Sequence, residues 1–478
     1  MLFNTWQFWA FLAVVLPVYW ALPFRWQNRF LIVASYYFYG CWNWKFLPLI
    51  AGSTLMDYIL GNVVARSPSA SARRRLVAIS VVVNLALLGF FKYYGFFARE
   101  ASGLFARLGV PIGLPIWSIV LPVGISFYTF QSMSYVIDIS RGVSQPADNF
   151  WDFALYVCFF PHLVAGPIMR SGNSVNGKGL LKQLQAARVY RDGDFQEGLY
   201  HVVLGLFKKV VIGDNMATFV NVVFRAPSGR LTGPECLAGV YAFALQIYAD
   251  FSGYSSIAQG VAKWMGIDLM VNFRRPYFAV NPSDFWRRWH ISLSTWLRDY
   301  VYISAGGNRG GEFTTYRNLM LAMVLGGIWH GANWTFVAWG VFHGVLLCAY
   351  RLFDHSGRDK TIRSYPWYEG AARAFVLFQL VCIGWLLFRA DSMTQASQML
   401  ARIATNYDVT PLARVIGESM IFYAAPLLLF EAWLERNGDF VALLREGWSR
   451  RAVVYSYCVL MLVFFPPATA HEFIYFQF

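Results

Sequence analysis

Two histidines, His330 and His343, each followed by glycine, stand in the apolar run NLMLAMVLGGIWHGANWTFVAWGVFHGVLLCAY at residues 318–350. The run has the length and apolarity of a membrane-spanning stretch. Twelve residues in, at about 1.5 Å of rise per residue, His330 is expected roughly 18 Å from Asn318, somewhat past the middle of a hydrocarbon core about 30 Å thick. An ionisable group there is costly and faces a protein interior or a water-filled path, which makes it a candidate functional site. Withdrawn from water, an imidazole favours its neutral form and can take the proton of a hydroxyl. The alternative is a buried histidine hydrogen-bonded to a neighbouring helix. Gly326, Gly327 and Gly331 flank Trp329 and His330 and predict a weakened helix that opens or admits another backbone or a ligand.

Forty residues earlier, DFWRRWHISLSTWLRDYVYISAGGNRGG places His290 beside Trp289. Nothing in residues 270–317 is long and apolar enough to cross a bilayer. The pattern predicts short amphipathic helices on the cytoplasmic face, with Trp286, Trp289 and Trp296 inward and Arg287, Arg288 and Arg298 toward water or an anion. Planar guanidinium groups suit the phosphates of an activated donor such as a coenzyme A thioester. Arg287, Arg288, Arg298 and Trp329 are therefore the candidate donor-binding residues. Asp250, in QIYADFSGYS, either caps a helix break at Ser252 and Gly253 or holds a partner side chain such as a histidine or arginine. With Asp299 it is a candidate supporting group. GGNRGG at 306–311 reads as a turn before it reads as a diphosphate cradle, and His162, beside a proline, reads as structural. There is no Walker A loop, no HExxH and no GxSxG, and His330 and His343 are too far apart to share one helical face as metal ligands, so no metal is expected.

The elements that must position these groups are membrane helices. With 57% hydrophobic, 18% aromatic and 14% charged residues in 478, the chain reads as one integral-membrane domain over 1–478, an all-α polytopic protein. The net charge of +14 lies mostly in short stretches between apolar runs, as cytoplasmic loops facing anionic lipid require, and does not indicate nucleic acid. Six scattered cysteines suggest small buried hydrophobes. Spans are expected near 7–23, 28–46, 48–65, 76–97, 116–138, 198–224, 235–258, 373–390, 415–435 and 452–467, besides the pair within 318–350. Lys208 and Lys209 would snorkel or lie on an amphipathic face. The first span, with no basic region or cleavage site before it, would remain as an anchor. The cations Arg66, Arg73, Arg74 and Arg75 mark a cytoplasmic loop, which puts both ends of the chain outside after about twelve crossings. Pro161, Gly166 and Pro167 interrupt the run FALYVCFFPHLVAGPIM, which is expected to be re-entrant or broken.

Taken together, WHGANWTFVAWGVFHG (329–344), FWRRWHISLSTWLRDYVYISAGGNRGG (285–311), QIYADFSGYS, LPVGISFYTFQSMSYVIDISRG (121–142) and FFPHLVAGPIMR (159–170) resemble the membrane-bound O-acyltransferase family, in the bacterial branch of alginate O-acetyltransferases that is related to the teichoic acid D-alanyl transfer protein. The resemblance is dense over 121–344 and extends to 28–94. It implies a ring of about 11–13 transmembrane helices around a thin, funnelled core with re-entrant and interfacial helices. His330 matches the family's signature histidine, and His290 the other histidine of its tunnel. It also implies cytosolic acetyl-coenzyme A as donor and passage of the acetyl group across the inner membrane to an extracytoplasmic acyltransferase partner that modifies a secreted glycan. The segment SGNSVNGKG and the tail FIYFQF depart from the alginate pattern and leave alginate, acetylated cellulose, another exopolysaccharide, peptidoglycan and a teichoic acid-type polymer open as acceptors. A transporter without chemistry, or a scaffold of a glycan-secretion complex, are the competing classes. The enzyme reading requires an imidazole inside the bilayer that a thioester reaches from the cytosol and that opens toward the opposite face.

Overall fold

The computed structural model of the chain describes all residues except 111, 112, 116, 118, 165, 173–178, 355–360, 468–471 and 475–478. Most of the segment SGNSVNGKG, the loop residues Arg358 and Lys360, and the tail apart from residues 472–474 therefore lie outside the described residues. Regular structure among the described residues is entirely helical. In chain order the helices are α1 (Trp6–Ala21), α2 (Phe24–Asn43), α3 (Leu47–Arg66), α4 (Ala70–Leu88), α5 (Tyr94–Arg107), α6 (Ile125–Ser140), α7 (Phe150–Cys158), α8 (Phe160–Leu163), α9 (Leu180–Gln185), α10 (Asp194–Leu206) and α11 (Asn215–Arg225). Then come α12 (Gly233–Trp264), α13 (Pro282–Arg288), α14 (Ile291–Leu297), α15 (Gly311–His330), α16 (Trp334–Phe353), α17 (Trp367–Arg389), α18 (Met393–Thr405), α19 (Pro411–Asn437) and α20 (Trp448–Phe464).

Among the described residues, five segments are long and apolar enough to cross a membrane: Phe24–Arg66, Ala70–Arg107, Trp334–Phe353, Trp367–Arg389 and Pro411–Asn437. The protein is a multi-pass membrane protein. The larger number of crossings expected from sequence includes helices that are short, such as α1 with 16 residues and α20 with 17, and helices that carry charge, such as α12 with Asp250. The amphipathic α18, whose polar sequence gave no span, is an addition to the expected elements.

The chain forms two compact units, Met1–Gly198 with Ala258–Met270, and Leu199–Ile257 with Val271–Phe478. Inside the first, polar side chains tie apolar helices together. The buried Asp57 carboxylate of α3 accepts from Ser80 Oγ (2.6 Å) and Asn84 Nδ2 (2.9 Å) of α4. Asn28 of α2 donates to Asp152 of α7 at 2.7 Å. The expected break is present, because α7 ends at Cys158 and α8 restarts after Phe159 at φ −54°, ψ 109°. Protein groups satisfy the interrupted backbone: Phe160 N donates to Ser35 Oγ at 3.1 Å. His162 Nε2 lies 3.0 Å from Gln131 Oε1, a structural bridge to α6.

The second unit contains the helical hairpin α15–α16. Residues 318–350 are not one continuous span: α15 stops at His330, Gly331 is extended at φ −169°, and the Asn333 side chain caps α16 by accepting from Thr335 N at 3.2 Å. The glycines of the run serve close approach rather than opening. A methyl group on Gly327 would stand 2.3 Å from the Phe336 carbonyl oxygen, and one on Gly340 would stand 2.5 Å from that of Met323. Because the obstacle in both cases is backbone, Gly327→Ala and Gly340→Ala are expected to splay the hairpin and destabilise the protein by at least the roughly 1–3 kcal/mol of an overpacked core. Gly52→Ala, on α3 with nothing within 4 Å of the added carbon, serves as the control and should be neutral or slightly stabilising. Thermal unfolding in detergent reads the difference, and equal stabilities for Gly327→Ala and Gly52→Ala would contradict this packing.

Candidate functional site

His330 is the last residue of α15, so the hairpin turn places its ring at a helix C-terminus. Its ring is enclosed by Trp329, Trp339 and Phe388, each with its centroid 5.0 Å away. His290 faces it at 6.5 Å between centroids. The two histidines are thus brought together from positions forty residues apart, with Trp329 beside both, 5.9 Å from His290.

His290 is held in an unusual backbone conformation. It links α13 to α14 in the left-handed region at φ 41°, ψ 54°, a state that costs a non-glycine residue on the order of 1–3 kcal/mol. Two backbone hydrogen bonds fix the loop, from Arg274 N to Arg288 O (2.8 Å) and from Ile291 N to Asn272 O (2.9 Å). The Asn272 side chain completes the hold: its Oδ1 accepts from Ser292 N (3.2 Å) and Ser292 Oγ (3.0 Å) and lies 3.2 Å from His290 Nδ1. Phe251 packs edge-on against the His290 ring at 4.7 Å. His290 and His330 keep 0% and 2% of their accessible surface. Both rings are buried, and the passage expected from both faces does not expose either of them.

The sequence pattern of the membrane-bound O-acyltransferase family, MBOAT, matches residues 146–388, which include both histidines. The chain is 42% identical over 401 residues to the protein named "Probable alginate O-acetylase AlgI" of Azotobacter vinelandii, covering 84% of this chain and 77% of that one. The chain belongs to the membrane-bound O-acyltransferase family. A "Peptidoglycan O-acetyltransferase" of Helicobacter pylori is 34% identical over 437 residues, 84% of this chain and 79% of its own. A "Teichoic acid D-alanyltransferase" of Bacillus subtilis is 27% identical over 291 residues, 57% of this chain and 70% of its own.

Other groups singled out in the sequence of this O-acyltransferase land in different places. Arg288 departs from its expected orientation toward water or an anion: it is buried, with Nε 2.9 Å from Asp284 Oδ1 and Nη1 3.0 Å from Glu435 Oε1. Glu435 also binds Arg275 Nε at 2.6 Å, so this carboxylate on α19 ties down both strands of the His290 loop. Arg287 is more exposed, and Arg298 lies at the surface paired with Asp299 at 2.8 Å, which leaves Asp299 engaged away from the rings. Trp329 is a wall of the aromatic chamber. Trp289 and Trp296 face inward as expected, while Trp286 is only half-buried. His343 is packed between Phe285 (6.1 Å, parallel) and Trp339 (4.9 Å). GGNRGG is a turn whose positive φ angles at Gly306 (107°), Gly307 (57°) and Gly311 (87°) require glycine. Among the described residues no group of three His, Cys, Asp or Glu side chains is arranged to hold a metal ion.

Asp250 does not cap a break, since α12 is continuous, and takes the other expected role of holding a partner side chain. Its partner is Lys209, at 2.7 Å, and Lys209 is also 2.7 Å from Asp214. Lys208 and Lys209 do not snorkel. Lys208 pairs with Glu431 of α19 at 2.9 Å, and the π-helical stretch Phe207–Asp214, in which residues five apart share a face, brings Lys209 to Asp214. Asp250 Oδ2 accepts from the backbone nitrogen of Ile474 at 2.7 Å, and Phe473 packs on Phe251 (5.5 Å) and Tyr254 (4.7 Å). The Asp250 cluster thus anchors a segment that braces the ring lying on His290.

Asn272, Ser292, Lys209 and Glu435 were not anticipated from sequence as parts of the site. For Glu435 a signal existed, because Glu431 and Glu435 sit four apart in an apolar run and so share a helix face. Removing the cation from the Asp214–Asp250 pair leaves two buried carboxylates without a counter-charge. Lys209→Met should cost about 3–5 kcal/mol, read as a lowered unfolding temperature and detergent-soluble yield, and wild-type stability would contradict the buried cluster.

Proposed function

We propose that this O-acyltransferase takes an acetyl group from cytosolic acetyl-coenzyme A and passes it across the bacterial inner membrane for O-acetylation of a secreted polysaccharide. The observation that carries the reading is the convergence of His290 and His330, 6.5 Å apart, in a closed aromatic chamber inside the region that matches the family. In that chamber His330 is the principal catalytic residue. Its neutral ring withdraws the proton of an attacking hydroxyl as the hydroxyl oxygen bonds to the thioester carbonyl carbon. The carbon–sulfur bond breaks, and the thiolate leaves with the proton returned by the imidazolium. His290 orients the reacting group. Exclusion of water protects the thioester from hydrolysis and strengthens each polar contact in the chamber.

The 42% identity to a relative named for alginate supports an exopolysaccharide acceptor, and the relative named for peptidoglycan, at 34% over a similar share of the chain, keeps a cell-wall glycan as the second reading. An acceptor outside the membrane implies an extracytoplasmic acyltransferase partner that receives the group. The arginine-rich loops suit the cytosolic side, with both ends of the chain opposite. Of the arginines considered for the donor's phosphates, Arg287 and Arg298 keep exposed guanidinium groups.

Replacing His330 by alanine should lower the acetyl content of the secreted polymer by roughly 10²-fold or more while the protein still inserts. His290→Ala should lose most of the activity. His343→Ala should act mainly on stability, because its ring is a packing element. Unchanged acetylation in an inserted His330→Ala protein would remove the enzyme reading. An activity loss in a well-folded His343→Ala protein equal to that of His330→Ala would overturn the ranking of the histidines.

A further inference from the structure

The neighbours of Asn272 determine which way its amide points. Oδ1 faces the backbone nitrogen of Ser292 at 3.2 Å, and a backbone N–H can only donate, so the atom there is the carbonyl oxygen. The amide nitrogen is turned the other way, to Ser255 Oγ at 3.4 Å. A carbonyl oxygen can only accept, so the ring nitrogen that faces it, His290 Nδ1 at 3.2 Å, carries the imidazole proton. Ser292 closes the triangle: its hydroxyl donates to Oδ1 at 3.0 Å, which turns its lone pairs toward Nδ1–H at 3.4 Å. Asn272, Ser292 and Ser255 are all buried, so water does not compete for these contacts.

We infer that Asn272 is a positioning residue of this O-acyltransferase: it locks His290 in the Nδ1–H tautomer, so that Nε2 presents a hydrogen-bond acceptor to the hydroxyl that reacts at His330. The inference rests on the reading of His290 and His330 as the reacting pair. Asn272 also does a second task. His290 occupies the N-cap position of α14 but its side chain caps nothing, and Asn272 Oδ1 takes the Ser292 N–H in its place. One side chain therefore both holds the strained backbone of His290 and sets its proton.

The two tasks separate in a pH profile. The rings facing His290 include Phe251 from α12, Phe273 from the loop before α13, and Trp329 and His330 from α15. Of these only His330 titrates. On α12 the neighbouring carboxylate, Asp250, is engaged by Lys209. In Asn272→Asp the carboxylate still accepts from Ser292 and from Nδ1–H, but its charge favours the imidazolium, which converts Nε2 from acceptor to donor. Activity then requires a higher pH.

The experiment measures thiol release from acetyl-coenzyme A by the full-length protein in proteoliposomes across a range of pH. Asn272→Asp should move the acidic limb of the profile upward by about 1–3 pH units and approach wild-type turnover above it. Asn272→Leu, which removes the acceptor, should lower kcat by roughly 10²-fold at every pH, with a much smaller change in KM. Asn272→Asp with the wild-type profile, or the two variants falling equally with no shift, would reduce Asn272 to a helix cap and overturn the inference. His330→Ala is assayed alongside. Wild-type turnover in that variant defeats the reading of the pair itself, whereas an inactive His330→Ala together with an unshifted Asn272→Asp defeats only the role of Asn272.

Discussion

A neutral imidazole inside apolar protein must have its N–H hydrogen-bonded, and the bond that satisfies it decides which nitrogen is left to act. In this chain the constraint falls on His290. Its left-handed backbone is strained, its N–H meets a carbonyl oxygen on a segment 18 residues earlier, and the loop that brings the two together is held by Arg275 and Arg288 on one carboxylate, Glu435. Losing any of these ties would let the backbone relax toward the ordinary right-handed region and move the ring away from His330. The buried charges around the site are thus better explained by position than by stability, since ion pairs in a protein interior roughly cancel their own desolvation.

The second arm of the site is built differently. His330 needs no strained residue, because a helix that simply ends there delivers its ring into the chamber. The ending depends on the hairpin: glycines let α15 and α16 touch backbone to backbone, Gly331 leaves the helix in an extended conformation, and Asn333 starts the return helix. The aromatic rings of Trp329, Trp339 and Phe388 then fill the space around the imidazole. They leave the imidazole 2% exposed.

Much of this was legible in the sequence where a residue's own type carried the information. A histidine in an apolar run marks a site wherever the run folds, so His330 was visible, and the family-like motifs pointed to His290. Pro161 and Gly166 foretold the break between α7 and α8. What was not legible depended on partners remote in sequence. Arg288 looks like an anion ligand until Glu435, 147 residues later, meets it in the fold. That Asp250 holds a partner side chain was legible, but that the partner is Lys209 emerges only because a π-helical stretch turns Lys209 inward. The glycines around His330 allowed either opening or the close approach of another backbone, because a weak helix and a close-packed one use the same residue, and the fold takes the second. Asn272 carries no sequence signal, since its role arises only from the left-handed turn at His290.

The most direct test of the central claim, that His290 and His330 work as one unit, is a double-mutant cycle on thiol release from acetyl-coenzyme A, with His290→Ala, His330→Ala and the double variant all confirmed to be folded. The account predicts strongly non-additive losses, the double variant being no slower than the worse single variant, as for residues that act together in one step. Losses that multiply, or a His330→Ala protein that retains most of its turnover, would contradict it.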